Sequence, residues 1–213
     1  LGVGGLSDSG IHELGRVLFG LSKPDQGKVI LTETGEVIDS LRKAIDRGIA
    51  YVPKDRDTEA LMVRATIEDN LCLPSTDSFV GRLGFLSPRK RKAFAREQLA
   101  AFEIKASGIR QAVNQLSGGN RQKVSLASWL SRPNRILILD SPTRGVDVGI
   151  TANIYKLIAE VKKQGIGILL ISDELPELIG CSDRILIMKN GAVAKVFERA
   201  EGFGEHSIVQ VMI

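Results

Sequence analysis

The chain has 213 residues, 43% hydrophobic and 25% charged. This fits one compact domain, or a main domain with a small insertion, large enough to bury a core without staples. Cys72 and Cys181 lack CxxC spacing and a companion histidine cluster, which argues against a disulfide framework or a zinc site and favours a reducing compartment. A net charge of +4 selects no partner, and no apolar run approaches the length of a membrane span.

In chain order, "LGVGGL" reads as the end of a buried strand, so a fragment of a longer polypeptide is expected. A glycine loop, "GLSDSGIHE", then leads into a helix, "IHELGRVLFG", with Leu14, Val17 and Leu18 at helical spacing and Gly20 as its cap. "GKVILTETGEVID" predicts a hairpin turning around "ETG", and "RGIAYVP" a short strand ending at Pro53. From Thr66 to Gln115 strand signals vanish, and Ser87-Pro88 starts a helix over "RKRKAFAREQLAAFEI", which indicates an inserted helical subdomain. The α/β pattern returns at Leu116. Helix "GNRQKVSLASWLSR" precedes strand "RILILD". Helix "ITANIYKLIAEVKKQG", with Ile154, Leu157, Ile158 and Val161 on one face, precedes strand "IGILLIS". A short helix, "ELPELIG", and a hairpin turning at Asn190-Gly191 complete the reading. Apolar runs alternating with helices predict a mainly parallel sheet covered on both faces.

The glycine loop has the frame of a phosphate cradle. Gly5 and Gly10 allow backbone N–H groups to wrap an anion at a helix start, with Ser7, Asp8 and Ser9 between them. The following positions should carry a lysine for the β- and γ-phosphates and a hydroxyl for Mg²⁺; here they are Ile11 and His12. Ile11 can do neither, and a lone imidazole is a poor substitute for a hydroxyl on Mg²⁺. Alone, the loop fits a structural turn equally well; the downstream motifs favour the remnant of a phosphate loop. Those motifs are "LSGGNRQ", Leu116 to Gln122, and, one helix later, "ILILDSPTRGVD", Ile136 to Asp147. Asp140 ends a buried strand, where α/β folds place ligands.

Together these motifs resemble the ATP-binding cassette (ABC) family. "GIAYVPKDR" and "PTRGVDVG" look like the second cassette of the fused two-cassette ATPases of monosaccharide importers, the group that serves ribose, galactose and autoinducer uptake. The resemblance runs from Gly5 to about Phe197. It implies an α/β fold of the P-loop NTPase type: a mainly parallel sheet, an inserted helical subdomain and flanking antiparallel hairpins. Residues 1–65 and 116–213 would form the nucleotide-binding core, and 66–115 the helical subdomain.

By the same resemblance, Asp140 is the carboxylate that holds Mg²⁺ through water. Ser141 stands where active cassettes carry the catalytic Glu, Lys54 where they carry a Gln near the metal, and Asp173 where they carry a His near the γ-phosphate. A missing base costs about 10²–10⁴-fold. A lysine would repel the metal and a carboxylate would repel the triphosphate, so this half-site is expected not to hydrolyse ATP and to bind ATP and Mg²⁺ weakly or not at all. The signature is intact: Ser117, Gly118, Gly119 and Gln122 would meet ATP held on a partner cassette, with Ser117 also an ordinary helix cap. Gly145 and Asp147 match the loop that touches the opposite cassette; Arg144 is either structural or interfacial.

The implied partners are an N-terminal or second cassette, a transmembrane permease reached through the segment after Lys54 and the helical insert, and indirectly a solute-binding protein, at the cytoplasmic face of the membrane. The cluster Arg89-Lys90-Arg91-Lys92 opposes the dipole of its helix, so helix stability does not account for it. It reads as a solvated face rather than a nucleic-acid patch, since no aromatics interleave with it. The alternative function is a regulatory or scaffold pseudo-ATPase that pairs with another protein.

Overall fold

The computed structural model describes all residues except Ser7, Arg82 and Leu83. It divides into two compact units. The first comprises Leu1–Lys54, Asn134–Pro142 and Ala152–Ile213, the second Asp55–Pro133 and Thr143–Thr151.

Among the described residues, the first unit holds a six-stranded sheet in the order β4-β5-β6-β1-β7-β8. Its strands are β1 (Gly2–Gly4), β4 (Ile49–Val52), β5 (Ile136–Asp140), β6 (Gly167–Ile171), β7 (Arg184–Lys189) and β8 (Ala192–Glu198). All neighbouring pairs run parallel except β7 and β8. Leu137, Ile138 and Leu139 are consecutive and all buried, which requires cover on both faces rather than a polar-apolar alternation. A separate antiparallel pair, β2 (Val29–Leu31) and β3 (Glu36–Ile38), is the predicted hairpin. The β7–β8 turn takes left-handed backbone at both Asn190 (φ 51°) and Gly191 (φ 75°), the combination a two-residue hairpin loop demands.

Helices α1 (Ile11–Leu18), α2 (Leu41–Asp46), α7 (Leu175–Cys181) and α8 (Glu205–Met212) belong to this unit, as does most of α6 (Val148–Lys163). The apolar face expected for α1 is shifted. Ile11, Gly15 and Phe19 are the buried line, while Leu14, Val17 and Leu18 are half-buried. The reason is close approach: a Cβ at Gly15 would sit 2.7 Å from Cδ1 of Ile171, so the glycine lets the helix settle onto the sheet. In α6 the expected face is present, with Ile154, Ile158 and Val161 buried and Leu157 half-buried. Leu178, Ile185, Ile187, Phe197, Ile208 and Met212 form a further core between α7, α8 and the β7–β8 pair.

The second unit is built on α3 (Ile67–Cys72), α4 (Pro88–Ala101) and α5 (Gly118–Leu130), joined by short helical turns. Ile67, Leu71, Phe79, Ala95, Ile104, Val113, Val124 and Ala127 share its core. Thr66 opens α3 with a capping box: its hydroxyl accepts from the Asp69 amide, and Asp69 accepts from the Thr66 amide. Ser87 caps α4 by accepting from the Lys90 amide. In the basic cluster, Arg91 is a structural residue: its Nη2 donates to Asp69 Oδ1 at 2.7 Å, tying α4 to the first turn of α3. No helix among the described residues is long and apolar enough to cross a membrane.

Candidate functional site

In the first unit, β1 ends at Gly4 and α1 begins after Gly10, so the glycine loop lies between a strand and a helix, where a phosphate loop is expected. Ser7 lies outside the described residues. The Ser9 amide donates to Leu6 O at 2.9 Å, and Ser9 O accepts from the Gly191 amide at 3.1 Å. Gly5 and Ser9 are buried, whereas Asp8 is exposed. Gly10 is the helix N-cap with left-handed backbone (φ 87°). Ile11 points inward and is fully buried, which makes it a core residue.

His12, one residue into the helix, faces the end of β5. Its Nδ1 lies 2.7 Å from Oδ1 of Asp140, which is 1% exposed. The Tyr51 hydroxyl donates to the other oxygen, Oδ2, at 3.1 Å, and the Ser141 hydroxyl lies 3.4 Å from Oδ1. On the outer side of the ring, His12 Nε2 lies 2.7 Å from Nζ of Lys54 and 3.4 Å from Oδ1 of Asp173. Lys54 in turn donates to Asp173 Oδ2 at 2.9 Å.

His12, Lys54, Asp140 and Asp173 are therefore brought together as one polar network. Lys54 and Asp173, expected to act by repelling a metal and a triphosphate, neutralise each other as an ion pair. A neutral imidazole with its proton on Nδ1 satisfies the network, donating to Asp140 and accepting from Lys54. Protonation would turn an Nε2–H towards the Lys54 ammonium, leaving Asp173 as the available acceptor. The hydrogen bond to Asp140 raises the His12 pKa above its ordinary value; burial opposes this, the Asp140 charge adds to it, the Lys54 charge lowers it and the Asp173 charge raises it.

This donor set does not suit a divalent cation of the Mg²⁺ kind. Such an ion takes oxygen ligands and keeps several waters, whereas both Asp140 oxygens are engaged by side chains and an ammonium stands beside the ring. Among the described residues, no group of three or more His, Cys, Asp or Glu side chains is suited to hold a metal ion. Ser141 has left-handed backbone (φ 48°), and its amide donates to Ile171 O at 2.8 Å.

In the second unit, Ser117 caps α5. Its Oγ accepts from the Asn120 amide at 3.4 Å and from Asn120 Nδ2 at 2.9 Å, and the residue remains exposed. Gly119 is buried beneath Ile150, whose Cδ1 a Cβ would overlap. Gln122 is also buried, with Oε1 3.4 Å from Nη1 of Arg56. Gly145, with φ 65°, and Asp147 are both exposed. Asp147 O accepts from the Ile150 and Thr151 amides at the start of α6. Tyr51 and Arg56 do not stand out in the sequence. Tyr51 reads as an ordinary apolar strand residue, and the partners of Arg56 are distant in the chain.

Residues 1–144 match the family model described as ABC transporter. The chain is 42% identical over 201 residues to the ribose import ATP-binding protein RbsA of Pseudomonas putida, covering 94% of this chain and 39% of that protein. It is 37% identical over 212 residues to the RbsA of Caldanaerobacter subterraneus, covering 100% of this chain and 43% of that protein. The chain thus spans about two-fifths of the length of these curated relatives. Among solved structures, the ATP-binding cassette MJ0796 in a dimeric post-hydrolysis state bound to ADP and Pi superposes with a TM-score of 0.79 at 24% identity, covering 92% of this chain and 84% of that one.

Proposed function

Because the chain belongs to the ABC transporter family, we propose that it acts as the second, catalytically silent cassette of an importer for ribose or a related sugar. In this reading it lends Ser117, Gly118 and Gly119 to ATP seated on the phosphate loop of a partner cassette. Its own loop neither hydrolyses ATP nor binds Mg-ATP tightly. Gly145 and Asp147 face the partner cassette. The working assembly includes a permease and, through it, a solute-binding protein, at the cytoplasmic face of the membrane.

The observation that carries this reading is the contrast between the two motifs. Around the chain's own loop, the positions that would serve nucleotide and metal are Ile11, which is buried, and His12, Lys54, Asp140 and Asp173, which are spent on one another. At the start of α5, by contrast, Ser117 is exposed at a helix N-terminus, where backbone amides and the dipole favour a phosphate. Further support comes from Asp147 and Val148, an exposed polar-apolar pair where the loop after β5 enters α6; Val148 is 87% exposed.

The test is Ser117→Arg in the assembled importer. Loss of transport-linked ATP turnover is the expected result. Unchanged turnover refutes the lending role and leaves the regulatory scaffold as the better description.

A further inference from the structure

Arg56 follows β4 and opens a single wide helical turn, Arg56–Ala60, in which the Asp57 and Thr58 amides donate to the Asp55 carboxylate. Its guanidinium makes three contacts with residues far along the chain. Nη1 donates to Arg144 O at 2.7 Å, Nη2 donates to Gly145 O at 3.1 Å, and Nη1 lies 3.4 Å from Gln122 Oε1. Nη2 also fills the space above Gly118: a Cβ there would lie 3.2 Å from it and 3.3 Å from Gly145 O. Beside it, Arg121 Nε lies 3.4 Å from Asp57 Oδ1. Burial is the main influence on the Arg56 guanidinium and lowers its pKa, which the Asp57 carboxylate partly offsets.

We propose that Arg56 is the positioning residue that holds the first turn of α5 in register with the Arg144–Asp147 loop, and thereby sets how the signature amides meet a phosphate presented by a partner. The planar fork can serve two successive carbonyls at once, which a lysine cannot. Because Gly118 has no side chain, the guanidinium can lie directly against the helix start. Arg56 also begins the segment after β4, so a displacement of that segment is delivered to both surfaces together. This inference rests on the lending role.

The test uses Arg56→Ala and Arg56→Lys in the assembled importer. The expected result for Arg56→Ala is a fall in kcat of tenfold or more with the KM for ATP nearly unchanged, because the partner's own loop still binds nucleotide. Arg56→Lys, keeping charge and reach but not the fork, is expected to recover part of the loss. Amide hydrogen exchange is the second readout: it is expected to quicken at residues 118–120 and 144–147 while β2 and β3 keep their protection. Should Arg56→Ala not fold, Arg56→Lys carries both measurements. If Ser117→Arg stops turnover while both Arg56 variants keep full kcat and unchanged exchange, the positioning role is overturned and the lending role stands. If Ser117→Arg leaves turnover intact, the lending role itself fails. The exchange measurement then decides alone whether Arg56 orders the two segments.

Discussion

Nδ1 of His12 lies 2.7 Å from Oδ1 of Asp140, joining the first turn of α1 to the end of β5 across 128 residues of sequence. The pairing joins a residue of the glycine loop's helix to the buried carboxylate that ends a central strand. The groups facing this imidazole come from three elements: Asp140 at the end of β5, Lys54 after β4 and Asp173 after β6.

The His12 pKa is expected above 6.5, because the Asp140 hydrogen bond is the largest influence on it. A folded-state pKa raised above the unfolded value means that stabilisation is full below about pH 6.5 and is lost as pH rises through the folded pKa. Following the imidazole by NMR across pH 5–9 checks this, an interval spanning the usual histidine range of about 6.5. Asp140→Asn is expected to lower the midpoint and to flatten that part of the stability profile. An unchanged midpoint would show that the pair does not control the ring.

Mg-ATP added to the isolated chain is expected to leave its thermal midpoint unmoved. A ligand at a hundred times its Kd would contribute about 2.7 kcal/mol, a shift that a melting curve resolves easily. Replacing both Lys54 and Asp173 by alanine removes the paired charges beside His12 without touching the core, and is expected to leave the fold in place. A clear upward shift for the native chain would show that its own loop does bind the complex.

Gly119→Ala is expected to destabilise the second unit by about 1 kcal/mol, the low end for overpacking, since the added methyl overlaps Cδ1 of Ile150, the movable end of a half-exposed side chain. Combining it with Ile150→Val or Ile150→Ala clears the overlapping atom, so the double variant is expected to regain part of the loss. Strict additivity in denaturant titrations would locate the cost elsewhere.

Thr66→Ala removes the capping box of α3 and is expected to cost about 1 kcal/mol. The Thr66 hydrogen bond is the largest influence lowering the Asp69 pKa; burial opposes it and Arg91 adds to it. A lowered carboxyl pKa stabilises above the unfolded value, near 4, and that contribution disappears as pH falls through the folded value. The native chain is therefore expected to lose stability on acidification more steeply than Thr66→Ala, measured by urea titration from pH 6 down to about pH 3, which brackets the ordinary carboxylate range.

Much of this fold is legible in sequence because its signals are local. Asn190-Gly191 dictates a hairpin turn, Ser87-Pro88 a helix start, and the unbroken run in β5 a strand covered on both sides. Elements whose residues are stabilised by remote partners are harder to read. Helix α8 is short and buries only Ile208 and Met212, a spacing too brief to distinguish from chance. The burial of α1 turns on Gly15, which carries no hydrophobic signal at all. At the site, Lys54 and Asp173 each draw the eye in sequence, but their 2.9 Å pairing depends on the fold bringing together the ends of β4 and β6, 119 residues apart. Arg56 is hidden for the same reason, since its carbonyl partners stand 88 and 89 residues away.

The burial of Asp140 has a consequence of its own. A buried carboxylate left bare is costly, and many folds depend on a diffusible ion to neutralise one. Here the acid's companions, Tyr51 and His12, are covalently part of the chain. The polar company of this interior acid is thus assembled by folding itself, as α1 and β4 close on the end of β5.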